Sequence, residues 1–403
     1  MKLLEVDSSV TRRDFLRVPK ILYRNDPNWV CPLDKDIEDI FTPGKNISFR
    51  QGEAARWILK NDHDRLIGRV AAFVHEERSR EYEQPTGGMG FFECIDDRDA
   101  AFLLFHTARE WLAARGMEAM DGPINFGENH NHWGLLVEGF MQPGYGMPYH
   151  FPYYRELFES YGFKPYFKQY SYHRDLTTVK TFPERFMKIA DWVSKRPGFS
   201  FRHFTLRETD RFVNDMAHIY NETWSAIKDD YTPMDVEEVK KGLRQAKPII
   251  DEELIWFAYY QDEPIAFFIL FPDVNQILKH LNGKMTPWNM LKFLYLKKIH
   301  TMTRMRAFVA GVAPRYQNSG IESAIFKHLF EVFRKKPYYR EIELSWVGDY
   351  NPRMKAIYEA IGAVHAKTHI TYRFLFDPER PFKTYVEEIG VMGQEQKIKK
   401  QDK

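Results

Sequence analysis

The sequence predicts an α/β (α+β) protein made of two copies of one fold, and three observations carry that expectation. At 403 residues the chain is long for one domain, and each half could bury a core of ordinary size. Each half contains a strand–turn–helix–strand unit: residues 89–94, 95–98, 99–115 and 118–124 in the first, and 306–312, 315–320, 321–334 and 341–346 in the second. The halves also repeat in register. Pro152 and Pro352, Leu157 and Ile357, Phe158 and Tyr358, Glu159 and Glu359, Gly162 and Gly362, and Tyr172 and Tyr372 all stand 200 residues apart. One such match could arise by chance; several in order argue for duplication.

Along the chain, residues 3–6 read as a first strand and 11–23 as a helix with Thr11 at its N-cap. A short helix near 34–41 precedes two strands, 54–60 and 66–75, joined by the turn Asn61-Asp62-His63-Asp64. After the unit at 89–124 comes a polar passage, Asn125 to Trp133, then a helix at 152–161 stopped by Gly162 and a strand at 166–172. A helix within 175–197 bridges the halves. The second half then reads strand 199–206, helices 208–227 and 235–245, strands 254–260 and 265–271, an extra segment 274–303, and the unit at 306–346. A helix at 352–361 stopped by Gly362 and a strand at 367–376 complete it. The expected division is therefore 1–175, a bridge 176–198, 199–380, and a Lys- and Gln-rich tail 381–403.

Composition excludes more than it assigns. With 58 basic and 56 acidic residues, nothing asks for a polyanionic partner, so no nucleic acid is expected. Cys31 and Cys94 are the two cysteines, far apart in sequence, which suits a reducing compartment and gives no metal-ligand spacing. The N-terminus lacks the apolar core of a signal peptide, and no apolar run reaches the roughly 18 residues of a membrane span, so a cytoplasmic protein is expected.

The turn Arg315-Tyr316-Gln317-Asn318-Ser319-Gly320 aims backbone N–H groups and the positive end of the following helix at one spot, an arrangement suited to an anion. A plain strand–helix connector is the competing reading. The equivalent turn of the first half has no glycine and carries Asp96 and Asp97, which would repel a phosphate.

The run Val312-x-Pro314-x-Tyr316-Gln317-x-x-Gly320-x-Glu322 resembles the acyl-CoA-binding signature of the GNAT superfamily. Asn351, followed by Tyr358-Glu359 and Gly362, resembles that superfamily's second signature. The resemblance covers residues 199–376 directly and 2–175 through the repeat. It implies two GNAT-like domains, each a twisted mixed β-sheet flanked by helices, with acetyl-CoA or a longer acyl-CoA as co-substrate and an amine-type acceptor. Carried onto this sequence, it implies Val312, Gln317, Asn318, Ser319, Gly320, Ile321 and Asn351 as cofactor-binding residues. It also implies Tyr358 as the acid that protonates the departing thiolate. Glu322 departs from the pattern: a carboxylate stands where the family has Gly or Ala.

In such a fold the polar passage flanks the cleft where amine meets thioester. Glu128, His130 and His132 are candidate bases, since carboxylate and imidazole are the usual ones, and Asn125, Asn129 and Asn131 are candidates to orient the substrate. A loop holding the linker is the plainer alternative. Two further functions stay open, a non-catalytic acyl-CoA-binding or scaffold pair and aminoacyl transfer from charged tRNA. In segment 274–303, lysines alternate with bulky apolar residues. Its near-neutral surroundings favour a helix packed on its own domain over peripheral contact with an anionic membrane.

Overall fold

The computed structural model describes residues 1–76, 78–80, 84–127, 131–177, 183–225 and 233–390. The first half runs β1 (Lys2–Glu5), α1 (Ser9–Leu22), α2 (Asp34–Ile40), β2 (Gly52–Lys60), β3 (Leu66–His75), β4 (Thr86–Cys94), α3 (Arg98–Ala113), β5 (Ala119–Gly122), β6 (Leu135–Glu138), α4 (Tyr154–Tyr161) and β7 (Lys164–Asp175). Helix α5 (Glu184–Ser194) leads to β8 (Phe199–His203), α6 (Thr209–Ser225), α7 (Val236–Ala246), β9 (Ile255–Tyr260) and β10 (Glu263–Pro272). Then follow α8 (Asn275–Leu278), α9 (Pro287–Lys298), β11 (Arg304–Val312), α10 (Ile321–Lys335), β12 (Glu341–Gly348), α11 (Pro352–Ala360), β13 (Val364–Leu375) and α12 (Tyr385–Ile389).

Local chemistry explains where the elements depart from the expected bounds. Helix α1 starts at Ser9 because Ser8, not Thr11, is the N-cap: the Ser8 hydroxyl accepts from the Thr11 N–H, and Thr11 answers from the third position of a capping box. Strand β5 stops at Gly122, where a cis Gly122–Pro123 bond turns the chain. Strand β7 continues to Asp175 because it pairs with β12, and the bridging helix is described over Glu184–Ser194. Strand β6 and helix α12 were not anticipated.

All the described strands join one mixed sheet in the order β1-β2-β3-β4-β5-β13-β7-β12-β11-β10-β9-β8, with β6 beside β13. Each half's last strand is exchanged: β7 completes the second half by pairing with β12, and β13 completes the first by pairing with β5. The repeated residues meet across this exchange. The Tyr372 hydroxyl donates to Glu159 at 3.0 Å and the Tyr172 hydroxyl to Glu359 at 3.4 Å, while Tyr372 packs on Phe158 and Tyr172 on Tyr358. The exchanged β13 is also held by Arg373, whose guanidinium pairs with Asp121 and Glu388.

The central strands separate two environments. Tyr172, Leu344, Met305, Ile370 and Tyr372 face α3, α4, α10 and α11 in two apolar cores. By strict alternation, Arg304, Arg306, Glu343, Gln169, Ser171, Lys367 and His369 lie on the opposite face. All seven are nonetheless buried, because the chain from Asn131 to His150 crosses over them.

Candidate active site

The site is built where two parallel strands part. Strands β11 and β12 pair only over Arg304–Ala307 against Glu341–Leu344, although β11 runs on to Val312 and β12 to Gly348. A crevice therefore opens between Phe308–Val312 and Ser345–Gly348. Past its mouth, the Pro314–Tyr316 turn leads through Asn318 (φ +67°) and Gly320 (φ +82°) to α10. Its N-cap is Gly320, and among the described residues no side chain caps the first N–H groups at the positive end of the dipole. Glycine is required at 320 twice over: by its φ, and because a Cβ there would stand 2.6 Å from Cγ2 of Ile189 on α5.

Arg353 resolves the anomaly at Glu322. From α11 its guanidinium donates to Glu322 at 2.8 Å and to Gln317 Oε1 at 2.6 Å, while Gln317 Nε2 donates to the Val312 carbonyl at 3.2 Å. The Glu322 charge is paired and drawn toward α11. The Asn351 side chain accepts from the Met354 N–H at 3.1 Å and caps α11.

The first half has the same parts, filled. Strands β4 and β5 pair over Thr86–Gly88 only. The space beyond is closed by the chain itself: the Ile124 N–H donates to the Met89 carbonyl at 2.9 Å, and a Cβ on Gly90 would strike the Ile124 carbonyl. Asp97 caps α3, accepting from the Ala100 N–H at 2.8 Å. Its carboxylate occupies the spot that α10 leaves bare.

On the polar face beside the crevice, buried charges cluster. Glu343 pairs with Lys367 and lies 3.5 Å from Arg304, which also holds Asp273. Burial alone would raise the Glu343 pKa, but Lys367 and Arg304 bring it below the ordinary carboxylate value. Arg306 donates to Ser345 Oγ at 3.0 Å and lies over the Trp133 ring. Trp133 in turn neighbours Trp346 and His369. His369 Nε2 meets the Pro148 carbonyl at 3.2 Å; a carbonyl can only accept, so Nε2 carries the proton and Nδ1 presents a lone pair. Burial pushes the His369 pKa down to about 4, which keeps the ring neutral. Asn131 Oδ1, Trp133 Nε1, Gln169 Nε2, Ser171 Oγ and His369 Nδ1 are buried with no hydrogen-bond partner among the described residues. So many unmet polar atoms in one place suit a polar guest better than a packed core. Gly134 (φ +62°) lets the passage approach, since a Cβ there would lie 2.6 Å from Gln169 Oε1.

The expected site residues do not all come together. Val312, Gln317, Asn318, Ser319, Gly320 and Ile321 gather at the crevice mouth and the α10 N-terminus. Asn131 lies in the polar cluster beside Gly146, and His132 donates its N–H to the Gly146 carbonyl at 2.9 Å with its ring against Phe91. Asn125 lies at the start of the passage, near Gly127. Glu128, Asn129 and His130 fall outside the described residues. Tyr358 is on the other face of the sheet, buried against Tyr172, and burial first and then Tyr172 push its pKa well up. It therefore stays protonated and is a weaker acid than an exposed phenol. His369, Glu343, Lys367, Arg306 and Arg353 were not singled out from sequence. The alternation Glu341-x-Glu343-x-Ser345 and Lys367-x-His369-x-Thr371 was the available signal. An open cavity of about 580 Å³ lies elsewhere, lined by Asp251, Glu252, Glu253, Lys297 and His300 among others; its carboxylates are ill suited to a phosphate.

This is a GNAT-type fold in two domains. The chain is 11% identical to a tandem GNAT protein from the clavulanic acid biosynthesis pathway, with a TM-score of 0.54 over 94% of this chain and all of that one. No family model matches the sequence. Among curated proteins, it is 28% identical to the bacterial ceramide synthase of Caulobacter vibrioides over 92% of this chain and 97% of that relative. It is likewise 28% identical to protein YghO of Escherichia coli, over 89% of this chain and 91% of that one.

Proposed function

We propose that this chain transfers an acyl group from acyl-CoA to the amino group of a long-chain amino alcohol, forming an amide. The observation that carries the reading is the asymmetry of the two halves: one crevice with an uncapped helix N-terminus, and one whose crevice and helix end are both filled. In this reading the CoA pyrophosphate sits on the N–H groups of Gly320 to Ser323, and the pantetheine arm enters between β11 and β12. The thioester then reaches the face where Asn131, Trp133 and His369 stand. The similarity to a protein named a ceramide synthase, over nearly the whole chain, supports a lipid amine as acceptor.

The chemistry is simple. The amine nitrogen attacks the thioester carbonyl, the C–S bond breaks, and CoA leaves as the thiol once protonated. His369 Nδ1 is the atom that takes the ammonium proton. It is a weak base, and it hands that proton to the departing CoA sulfur, which leaves as the thiol and returns the ring to its neutral form. Most of the acceleration comes from holding amine and thioester together.

The test is incubation of the purified chain with palmitoyl-CoA and a sphingoid base, following free thiol and lipid amide together. Equal amounts of both are expected. Thiol release without amide, or with water-soluble amines alone, overturns the reading.

A further inference from the structure

Helix α9 is apolar on two opposite sides, and only one of them is used. Phe293 and Leu296 turn inward, onto Val274, Ile277, Leu278 and Leu281. The outward side carries Trp288, Leu291, Tyr295 and Ile299, at the i, i+3, i+7, i+11 spacing of one helical stripe, with Leu294 beside it. Trp288 is 77% exposed, Tyr295 63% and Leu291 60%. Singly exposed apolar residues need no explanation, but a contiguous stripe of large ones does.

The surrounding charge says what covers it. From Val274 to Thr303 there are five lysines (279, 284, 292, 297 and 298) and no Asp or Glu, in a chain whose net charge is only +2. On the helical wheel Lys292 and Lys298 flank the apolar stripe on either side, and both are exposed. Aromatic and aliphatic residues framed by lysines match a negatively charged lipid surface, with rings at headgroup depth and ammonium groups on the phosphates. A second copy of the same face would set lysine against lysine.

The helix is also anchored so that it can bear on a surface. Pro287 opens it behind the Thr286 cap. The α8–α9 turn docks on the first half, where the Asp34 N–H donates to the Gly283 carbonyl at 2.8 Å. From α8, Asn275 donates to the Pro143 carbonyl at 3.1 Å, so the insertion leans on the same passage that covers the polar cluster.

We infer that α9 is a monotopic membrane-docking helix that seats the protein on anionic bilayers. The inference holds independently of the reaction proposed above. It is tested by flotation of the full chain with phosphatidylglycerol-containing vesicles and with pure phosphatidylcholine vesicles. Binding is expected to the anionic vesicles, falling at least about 10-fold in 0.5 M salt as the lysine contribution is screened. A loss of at least about 10-fold is also expected in the triple variant W288S/L291S/Y295S, whose altered side chains all face solvent. Circular dichroism confirms its fold. Absence of flotation, equal flotation with both vesicle types, unaltered binding by the triple variant, or a dimer in sedimentation that the variant dissociates would each overturn it.

Discussion

Ser319→Asp separates an anion site from an ordinary helix start. Ser319 precedes Gly320 at the N-terminus of α10, half-buried, with its hydroxyl donating to the Tyr316 carbonyl. Losing that bond costs about 1 kcal/mol. A carboxylate at a helix N-terminus returns about 0.3–1 kcal/mol. Stability should therefore change by no more than about 1 kcal/mol in urea denaturation. A phosphate on the same N–H groups would meet the new charge at about 5 Å. The repulsion is about 1 kcal/mol if the site is as screened as water and about 3 if the effective dielectric is near 20. Titration calorimetry with CoA should then show a loss of roughly 5- to 150-fold in affinity in a chain that folds normally. Unchanged CoA affinity with unchanged stability would refute the anion-site reasoning. Gly320→Glu is a poorer probe, since its φ and the contact with Ile189 would disturb the fold as well.

Arg353→Ala should free the Glu322 carboxylate beside the same N–H groups and weaken CoA binding by about 10-fold; the double variant with Glu322→Gln should recover most of it, read by the same calorimetry. His369→Gln keeps a polar side chain at that position but removes the basic nitrogen. The expected result is a fall of about 100-fold or more in kcat, with CoA affinity unchanged. Stability should also fall with acid. Burial lowers His369 to about 4 and His150 to about 3, below the ordinary 6.5, so between those values the unfolded chain binds more protons than the folded one. The stability linked to these neutral rings is complete above pH 6.5 and is lost as pH falls toward 4. For His369 the loss is of order 3 kcal/mol. Guanidinium unfolding at pH 7.5 and pH 5 measures it, and a midpoint that rises at pH 5 contradicts it.

Much of the fold was legible because it rests on local chemistry. Apolar periodicity placed α10, Pro352 opened α11 while its counterpart Pro152 lies in the turn just before α4, and Gly162 and Gly362 follow the two helices with left-handed φ. What could not be read locally was the exchange of β7 and β13. It depends on pairing between residues 166–179 apart for β7 with β12 and 250–256 apart for β13 with β5, and the repeated tyrosines marked the symmetry without saying that each belonged to the other half. The crevice loop was visible in the glycine and its neighbours. That Glu322 is tied back by Arg353 was not, since the two stand 31 residues apart. The acidic turn at Asp96-Asp97 was read as hostile to phosphate; the structure adds that Asp97 caps α3. The polar alternation on β12 and β13 is a pattern common to half-solvated strands, and it forms a buried cluster here because the Asn131–His150 passage folds over it.

The most direct test of the account is the number of acyl-CoA molecules one chain holds. Two halves share one fold, but among the described residues only one offers an open crevice and an uncapped helix end. Native mass spectrometry with palmitoyl-CoA should show one bound molecule per chain, displaced by CoA and lost in Ser319→Asp. Two per chain, none, or one that survives that substitution would contradict it.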